Sequence, residues 1–178
     1  MDLERRPPLV LTLFESALRQ LPPFVATHAI TLALRAAGAQ IASSSAFWGM
    51  PTLMGSGSPA TRLAVGEHCG FNFGCLFELD APITFEPHVA VGHQVLFLTR
   101  TRNYADASRR GAEGEPKPIR VGAGSWIGAR AVLLPGVTVG PGSVIGASVV
   151  VRENIPANTL MVGPRKISLA KWLPGRKV

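Results

Sequence analysis

The chain has 178 residues, enough for one domain with a buried core. Hydrophobic residues make up 47% of it and charged residues only 16%, which excludes an intrinsically disordered protein. The 19 glycines and 15 prolines argue against a protein of long helices, and the net charge of +7 points to an anionic partner. That partner could be nucleic acid, an acidic lipid surface or a phosphorylated cofactor.

The N-terminal part of the chain, residues 1–40, is predicted to be a helical cap. Residues 8–38 hold two apolar periodic stretches, PLVLTLFESALRQL and FVATHAITLALRAAG, separated by Pro22-Pro23. Charges interrupt both stretches, so neither predicts a membrane-spanning helix, and the charged start MDLERRPP does not resemble a secretory signal. We therefore expect a cytoplasmic protein, with peripheral contact to the inner membrane through residues 8–38 as an alternative.

A six-residue repeat dominates the chain from residue 41 to residue 157. The repeated positions carry an aliphatic or aromatic anchor, and they are Ile41, Phe47, Leu53, Val65, Phe71, Phe77, Phe85, Val91, Phe97, Val121, Ile127, Leu133, Val139, Ile145 and Val151. This period fits neither an α-helix nor a two-sided strand. It predicts a mainly β fold, a left-handed parallel β-helix with three hexads to each coil and tight turns at the corners.

Two further segments interrupt or follow this repeat. Residues 102–118, RNYADASRRGAEGEPKP, lack the aliphatic rhythm and are predicted to be a loop expelled from the solenoid, where function often resides. After Ile155-Pro156 the chain is predicted to leave the coil, and residues 158–178 form a basic tail with a short helix. Cys69 and Cys75 hold equivalent places on successive faces, so we expect reduced thiols and no disulfide.

The stretch VGAGSWIGARAVLLPGVTVGPGSVIGASVVVRENIPANTLMVGPRKI resembles the hexapeptide-repeat acyltransferases, in the branch of galactoside, maltose and exopolysaccharide O-acetyltransferases. The similarity covers residues 60–167, and its most specific part is residues 126–140. The resemblance implies a homotrimer that binds acetyl-CoA or another acyl-CoA in clefts between solenoids. It also implies transfer of the acyl group to a hydroxyl or amine of a sugar or small natural product.

The resemblance also carries over a set of cofactor-binding positions. They are Trp126, Gly128, Ala129, Ala147, Arg152, Arg165 and Lys166. The small residues would let backbone N–H groups grip a pantetheine arm, and the basic residues would meet the cofactor phosphates. Each position has a simpler explanation, because the small residues fit a tight turn, Trp126 could simply pack, and the charges could be solvated.

The acceptor side of the resemblance contains one match and one departure. Asn72 matches an acceptor-contacting Asn, although its side chain could instead satisfy its own turn. The family's catalytic His follows a Thr-x-Thr run, and here Thr99-Arg100-Thr101 is followed by Arg102. Arginine stays protonated at neutral pH and cannot act as a general base.

Three explanations of this departure stay open. In the first, another residue supplies the base, and His93 is the first candidate. In the second, the acceptor is already a nucleophile, such as an amine, and Arg102 binds an anionic acceptor or the oxyanion. In the third, the chain is an inactive trimeric binding or scaffold protein. The H-x4-H spacing of His88 and His93 also suggests zinc, as in the γ-class carbonic anhydrases, which share this solenoid. Their pattern has a second His five residues after VGH, where this chain has Leu98, so we expect no metal. Nucleic acid binding is not expected, because few aromatic residues accompany the basic ones.

Overall fold

The computed structural model describes residues 16, 17, 20, 25–103, 105–163 and 165–168. An α-helix, α1, covers Thr27–Ala36, and a 3-10 helix covers Pro59–Arg62. The strands are β1 (Gln40–Ile41), β2 (Ala46–Phe47), β3 (Thr52–Met54), β4 (Leu63–Val65), β5 (Gly70–Phe71), β6 (Leu76–Glu78), β7 (Ile83–Phe85), β8 (Ala90–Val91), β9 (Leu96–Leu98), β10 (Arg102–Asn103), β11 (Ala112–Glu113), β12 (Ile119–Val121), β13 (Trp126–Ile127), β14 (Val132–Leu133), β15 (Thr138–Val139), β16 (Val144–Ile145), β17 (Val150–Val151), β18 (Thr159–Val162) and β19 (Arg165–Ser168).

Successive strands go to three different parallel sheets, which form the three faces of a solenoid. Face A has the order β1-β4-β7-β12-β15, face B the order β2-β5-β8-β13-β16-β18-β19, and face C the order β3-β6-β9-β14-β17. Every third strand therefore returns to the same face one coil further along. Anchors pair with anchors, as in Ile127↔Val91 and Ile127↔Ile145. The six-residue period predicted this arrangement correctly.

The anchors fill the interior between the three faces. In the first three coils the interior is aromatic: Phe47 stacks on Phe71 with ring centroids 4.4 Å apart, and Phe77 stacks on Phe97 at 5.0 Å. Phe85 meets the ring of Phe71 edge-on at 4.8 Å. In the next two coils, from Val121 to Val151, every anchor is a fully buried Val, Ile or Leu. Burial of one such side chain contributes about 1.5–3 kcal/mol, so the repeat itself supplies the core.

Glycine at the corners allows successive coils to approach backbone to backbone. A methyl group on Gly128 would lie 2.6 Å from the amide nitrogen of Ala147, and one on Gly122 would lie 2.5 Å from the nitrogen of Pro141. Side chains essentially never approach backbone atoms this closely, so only glycine fits these two positions. The glycines that follow the anchors are thus explained by packing between coils.

Helix α1 packs on the first coil. Its residues Ile30 and Leu34 are buried, and the Arg35 Nε and Nη2 atoms donate hydrogen bonds to the carbonyl oxygen of Ile41 at 2.9 and 2.7 Å. Leu32 on the opposite side remains 67% exposed. The second predicted helix is thus present, whereas the first lies outside the described residues except for positions 16, 17 and 20. No helix in the described part of the chain is both long and apolar enough to span a bilayer.

The C-terminal part differs from the prediction that the chain leaves the coil after Pro156. Ile155 forms a bridge to Val139 on face A, and β18 pairs in parallel with β16 on face B. The chain then reverses, because β19 pairs antiparallel with β18, so residues 165–168 are a strand. The six-residue period did not predict this continuation because Ile155 follows the anchor Val151 after four residues and not six. The short helix was predicted within residues 164–178; residues 165–168 of that stretch are a strand, and residues 164 and 169–178 lie outside the described residues.

Candidate active site

The expelled loop leaves the solenoid at the corner between faces C and A. Thr99 is fully buried there. Its Oγ1 donates a hydrogen bond to the Glu78 carbonyl oxygen at 2.6 Å and accepts from the amides of Asp80 and Ala81 at 3.1 and 3.2 Å. On the returning stem, the amide of Lys117 donates to the Thr99 carbonyl oxygen at 2.7 Å. Both stems of the loop are therefore attached at one buried threonine.

Arg100 joins three acidic residues at the base of the loop. Its amide donates to Glu78 Oε2 at 3.0 Å, its Nε lies 3.0 Å from Asp80 Oδ2, and its Nη1 lies 3.3 Å from Glu113 Oε2. The Asp80 side chain is only 4% exposed, and its Oδ1 also accepts hydrogen bonds from the amide and hydroxyl of Ser56. Arg100 thus connects the solenoid wall to the returning strand of the loop.

Arg102 lies on the outgoing strand of the loop, β10, which pairs with β11 as a small antiparallel hairpin. It is exposed and stands opposite Glu113 in the pairing, but Glu113 makes its ion pair with Arg100. Arg102 has no ion-pair partner within the described residues. Together with Glu78, Arg100 and Thr101 it lines a pocket of about 240 Å³ at the base of the loop.

Asn72 and His93 lie at a different corner, between faces B and C. The Asn72 amide donates to the Val91 carbonyl oxygen at 3.0 Å, and its side-chain Nδ2 lies 3.4 Å from the same oxygen. The Asn72 side chain therefore contacts the neighbouring coil and does not hydrogen-bond within its own turn. The exposed ring of His93 meets the ring of Phe73 edge-on at 4.6 Å.

The same corner carries the small residues predicted to bind a cofactor. Gly128 is buried and donates its N–H to the Ile145 carbonyl oxygen at 2.7 Å, so this N–H is used by the ladder. Ala129 and Ala147 occupy the next position on successive coils. Their amides make no hydrogen bond to any described residue, and Ala147 is exposed. Two unpaired backbone donors thus lie one coil apart along this corner.

The remaining predicted cofactor residues surround the C-terminal coils. Trp126 is 55% exposed on face B, beside Ala90 and Val144 of the neighbouring strands. Arg152 and Arg165 are exposed. The Lys166 ammonium lies 3.0 Å from Glu153 Oε1 and donates to the Asn154 carbonyl oxygen at 3.2 Å. Lys166 is therefore partly engaged within the chain, whereas the two arginines are exposed.

These residues do not all meet within one chain. Asn72 and His93 lie where the face C strands begin, and Glu78 and Arg102 lie where those strands end. His93 is consequently not beside Arg102 in the same chain, and the predicted acceptor residues form two groups. A site that used both groups would need two chains placed side by side.

The two histidines of the H-x4-H pattern lie on opposite ends of β8. His88 stacks on His68 with ring centroids 5.0 Å apart at the corner between faces A and B, while His93 contacts Phe73 at the next corner. The described residues contain no cluster of three or more His, Cys, Asp and Glu side chains that could hold a metal ion.

The cysteines are buried and free of disulfide bonds, as expected. Burial raises the pKa of the Cys69 thiol, and it raises the pKa of the Cys75 thiol to about 11. Both groups are therefore protonated at neutral pH and cannot serve as thiolate nucleophiles.

Sequence reasoning missed the acidic residues at the base of the loop. Glu78 and Asp80 lie more than twenty residues before Arg102, and only the return of the chain to face C brings them there. The available signal was the coil register, since Glu78 stands beside Leu98, the last residue of β9 before the loop.

Comparison with known proteins agrees with this geometry. Residues 118–153 match the family model of the bacterial transferase hexapeptide (six repeats). The chain is 34% identical over 100 residues to the galactoside O-acetyltransferase of Escherichia coli, which covers 54% of this chain and 49% of that protein. The chain spans about half the length of the curated relatives it matches.

Two solved structures resemble almost the whole chain. A maltose O-acetyltransferase from Clostridium difficile has a TM-score of 0.74 and 26% identity, with 89% of this chain and 83% of that chain covered. A hexapeptide-repeat acetyltransferase from Vibrio cholerae in complex with acetyl-CoA has a TM-score of 0.69 and 25% identity, with 89% and 83% covered.

The fold is thus the left-handed parallel β-helix of hexapeptide repeats, and the predicted fold class is confirmed. The predicted resemblance to hexapeptide-repeat acyltransferases, including galactoside and maltose O-acetyltransferases, is confirmed as well.

Proposed function

We propose that this protein transfers an acyl group, an acetyl group in the simplest case, from acyl-CoA to a hydroxyl or amine of a sugar or small natural product. The observation that carries the proposal is the corner at Ala129 and Ala147, where two amide donors that bond to no described residue lie one coil apart. The similar Vibrio cholerae structure contains acetyl-CoA. An extended pantetheine arm carries amide carbonyls that could accept hydrogen bonds from such donors.

The cofactor phosphates would meet the basic residues of the last coil. Arg152 and Arg165 are exposed there, and Trp126 offers an exposed ring on face B. Guanidinium groups bind phosphate through paired charge-assisted hydrogen bonds, so the arginines suit this role better than Lys166, which Glu153 already binds.

We further propose that the working form is a homotrimer. The outward positions of face C are apolar over four coils, with Leu76, Leu96, Val132 and Val150 in one row. A row of this kind suits burial against a second copy. Adjacent copies would also bring the corner of Asn72, His93, Ala129 and Ala147 towards the loop base of a neighbour, which one chain alone does not do.

Calorimetric titration with acetyl-CoA tests the proposal. We expect saturable binding by the oligomer, and we expect Ala147→Trp to remove it, because the indole would cover the donor at residue 147. Ala157→Trp is the matched control, since Ala157 is an exposed residue two positions after the bridge residue Ile155, at another corner. Absence of binding at millimolar acetyl-CoA, or equal loss in both variants, contradicts the proposal.

A second function follows from Arg102 itself. If the arginine replaced a catalytic histidine when activity was lost, the chain would be an inactive trimeric binding or scaffold protein. Arg102 is exposed and forms no ion pair with another described residue, which is compatible with a binding role. Gain of acetyl transfer on Arg102→His substitution, with none by the native protein on a broad acceptor panel, would favour this alternative. Turnover by the native protein would exclude it.

A further inference from the structure

Three carboxylates lie at the base of the expelled loop, and they differ in what they already bind. Asp80 is 4% exposed and is held by Arg100 and by both donors of Ser56. Glu113 is 56% exposed and forms the second ion pair of Arg100. Neither lines the pocket that contains Arg102. Both carboxylates already form ion pairs with Arg100 that hold the loop.

Glu78 is the carboxylate that faces this pocket among the residues the structure describes. Its Oε2 accepts the amide of Arg100, whereas its Oε1 makes no hydrogen bond to a described residue. Arg100 is held by Asp80 and Glu113, so its guanidinium is not free to neutralise Glu78. One carboxylate oxygen therefore remains available to a bound molecule.

The chemistry of a carboxylate decides which acceptor it can serve. Carboxylates titrate near pH 4, about two units below imidazole, and are correspondingly weaker bases. A hydroxyl needs strong assistance, because it must lose its proton as it attacks. A neutral amine attacks through its free lone pair without losing a proton first. After the attack its nitrogen carries a positive charge and is a much stronger acid, so a carboxylate is basic enough to remove the proton.

We propose that the acceptor is an amine, that Glu78 binds it and takes its proton, and that Arg102 donates hydrogen bonds to the thioester oxygen. This inference rests on the proposed acyl transfer and narrows its acceptor class. It also explains how a transferase can work with arginine in place of histidine. A cationic amine is attracted to Glu78, and a permanently charged guanidinium stabilises the developing oxyanion.

The reaction balances without a further reactant. The acceptor ammonium first loses one proton to water. The amine lone pair then forms a bond to the thioester carbonyl carbon, and the carbonyl electrons move to the oxygen that Arg102 binds. When the carbonyl re-forms, the carbon–sulfur bond breaks and its electron pair leaves on sulfur. Glu78 removes the second proton from nitrogen and passes it to the thiolate, giving an amide and free CoA.

Matched acceptor pairs test the inference in the native oligomer. Glucosamine with glucose, and galactosamine with galactose, differ in one position that is an amine or a hydroxyl. With acetyl-CoA binding established by calorimetry, we expect CoA release with the amines at least 100-fold faster than with the hydroxyl partners, since each proton-transfer group contributes on the order of 100-fold or more. The product should resist hydroxylamine, which cleaves esters and leaves amides intact.

Substitution of Glu78 provides the second arm. Glu78→Gln keeps an oxygen that can accept the Arg100 amide, so the fold should survive, and we expect kcat to fall by about 100-fold. Glu115→Gln is the matched control, because Glu115 is an exposed residue of the same loop, and it should leave kcat unchanged.

The outcomes separate the inference from the proposed function. Binding of acetyl-CoA with transfer to hydroxyls preferred, transfer to neither class, or an unchanged kcat in Glu78→Gln overturns the amine inference and leaves the cofactor site intact. Failure to bind acetyl-CoA removes the proposed function, and the amine inference with it.

Discussion

Removal of the Arg100 guanidinium should loosen the expelled loop without unfolding the solenoid. Arg100→Met takes the cation away from Asp80, whose side chain is 4% exposed, while Arg100 itself is 20% exposed. Breaking a fully buried pair from one side costs about 3–5 kcal/mol. Ser56 still donates two hydrogen bonds to Asp80, and the ion pair with the exposed Glu113 contributes little. We therefore expect the free energy of opening the loop base to fall by about 2 kcal/mol.

Hydrogen exchange measures this loosening directly. The amides of Gly114 and Lys117 donate to Thr101 and Thr99 across the loop base, so their exchange reports its opening. A cost of about 2 kcal/mol corresponds to roughly 30-fold faster exchange, because 1.4 kcal/mol is a factor of ten. Amides of face B should keep their exchange rates, since the solenoid does not depend on the loop.

A double-mutant cycle tests whether the ion pair between Arg100 and Asp80 holds the loop. Asp80→Asn combined with Arg100→Met removes both charges. The losses of opening free energy in the two single variants should together exceed the loss in the double variant by about 1–2 kcal/mol. Arg109→Met, an exposed arginine of the same loop, is the matched control and should change nothing. Additive single effects within 0.3 kcal/mol, on the order of measurement error for independent sites, would show that the ion pair is not what holds the loop.

Three further predictions concern the solenoid. Phe77→Ala removes a fully buried ring between Phe97 and Phe85 and should lower the free energy of unfolding in urea by about 3–5 kcal/mol; an unchanged denaturation midpoint would contradict the packing. Gly128→Ala should lower Tm and weaken acetyl-CoA binding, because the added methyl group clashes with the backbone of Ala147 at a cost of about 1–3 kcal/mol. Gly111→Ala is the control and should do neither, since Gly111 has open space around it. The folded protein keeps the Cys75 proton to about pH 11 while the unfolded chain loses it near pH 9, so stability should fall across that interval by up to about 2–3 kcal/mol, and Cys75→Ala should flatten the fall.

The fold was predictable because each hexad carries its own signal. An anchor such as Ile127 must point inward and a residue such as Gly128 must fit against the next coil, so periodicity alone places both. The signal weakened where the spacing of the repeat changed. Ile155 follows the anchor Val151 after four residues instead of six, and the chain was predicted to leave the ladder where it continues as β18.

The site was only partly predictable because it depends on contacts between coils. The register predicted Arg102 at the base of the loop, and there Arg102 lines the pocket together with Glu78. It did not indicate that Glu78 would face the same pocket, since a charged residue on an outward position reads as solvated surface. The roles of Asn72, His93 and Arg102 stay predictions.

The reversal of β19 has a consequence for how these molecules behave in solution. A parallel solenoid has no natural end, because each coil offers its open strand edge as a template for another. Antiparallel β19 occupies that edge on face B and presents the exposed charges of Arg165 and Lys166 instead. At the other terminus α1 packs on the first coil. Both ends are therefore modified in ways that oppose end-to-end polymerisation into fibres.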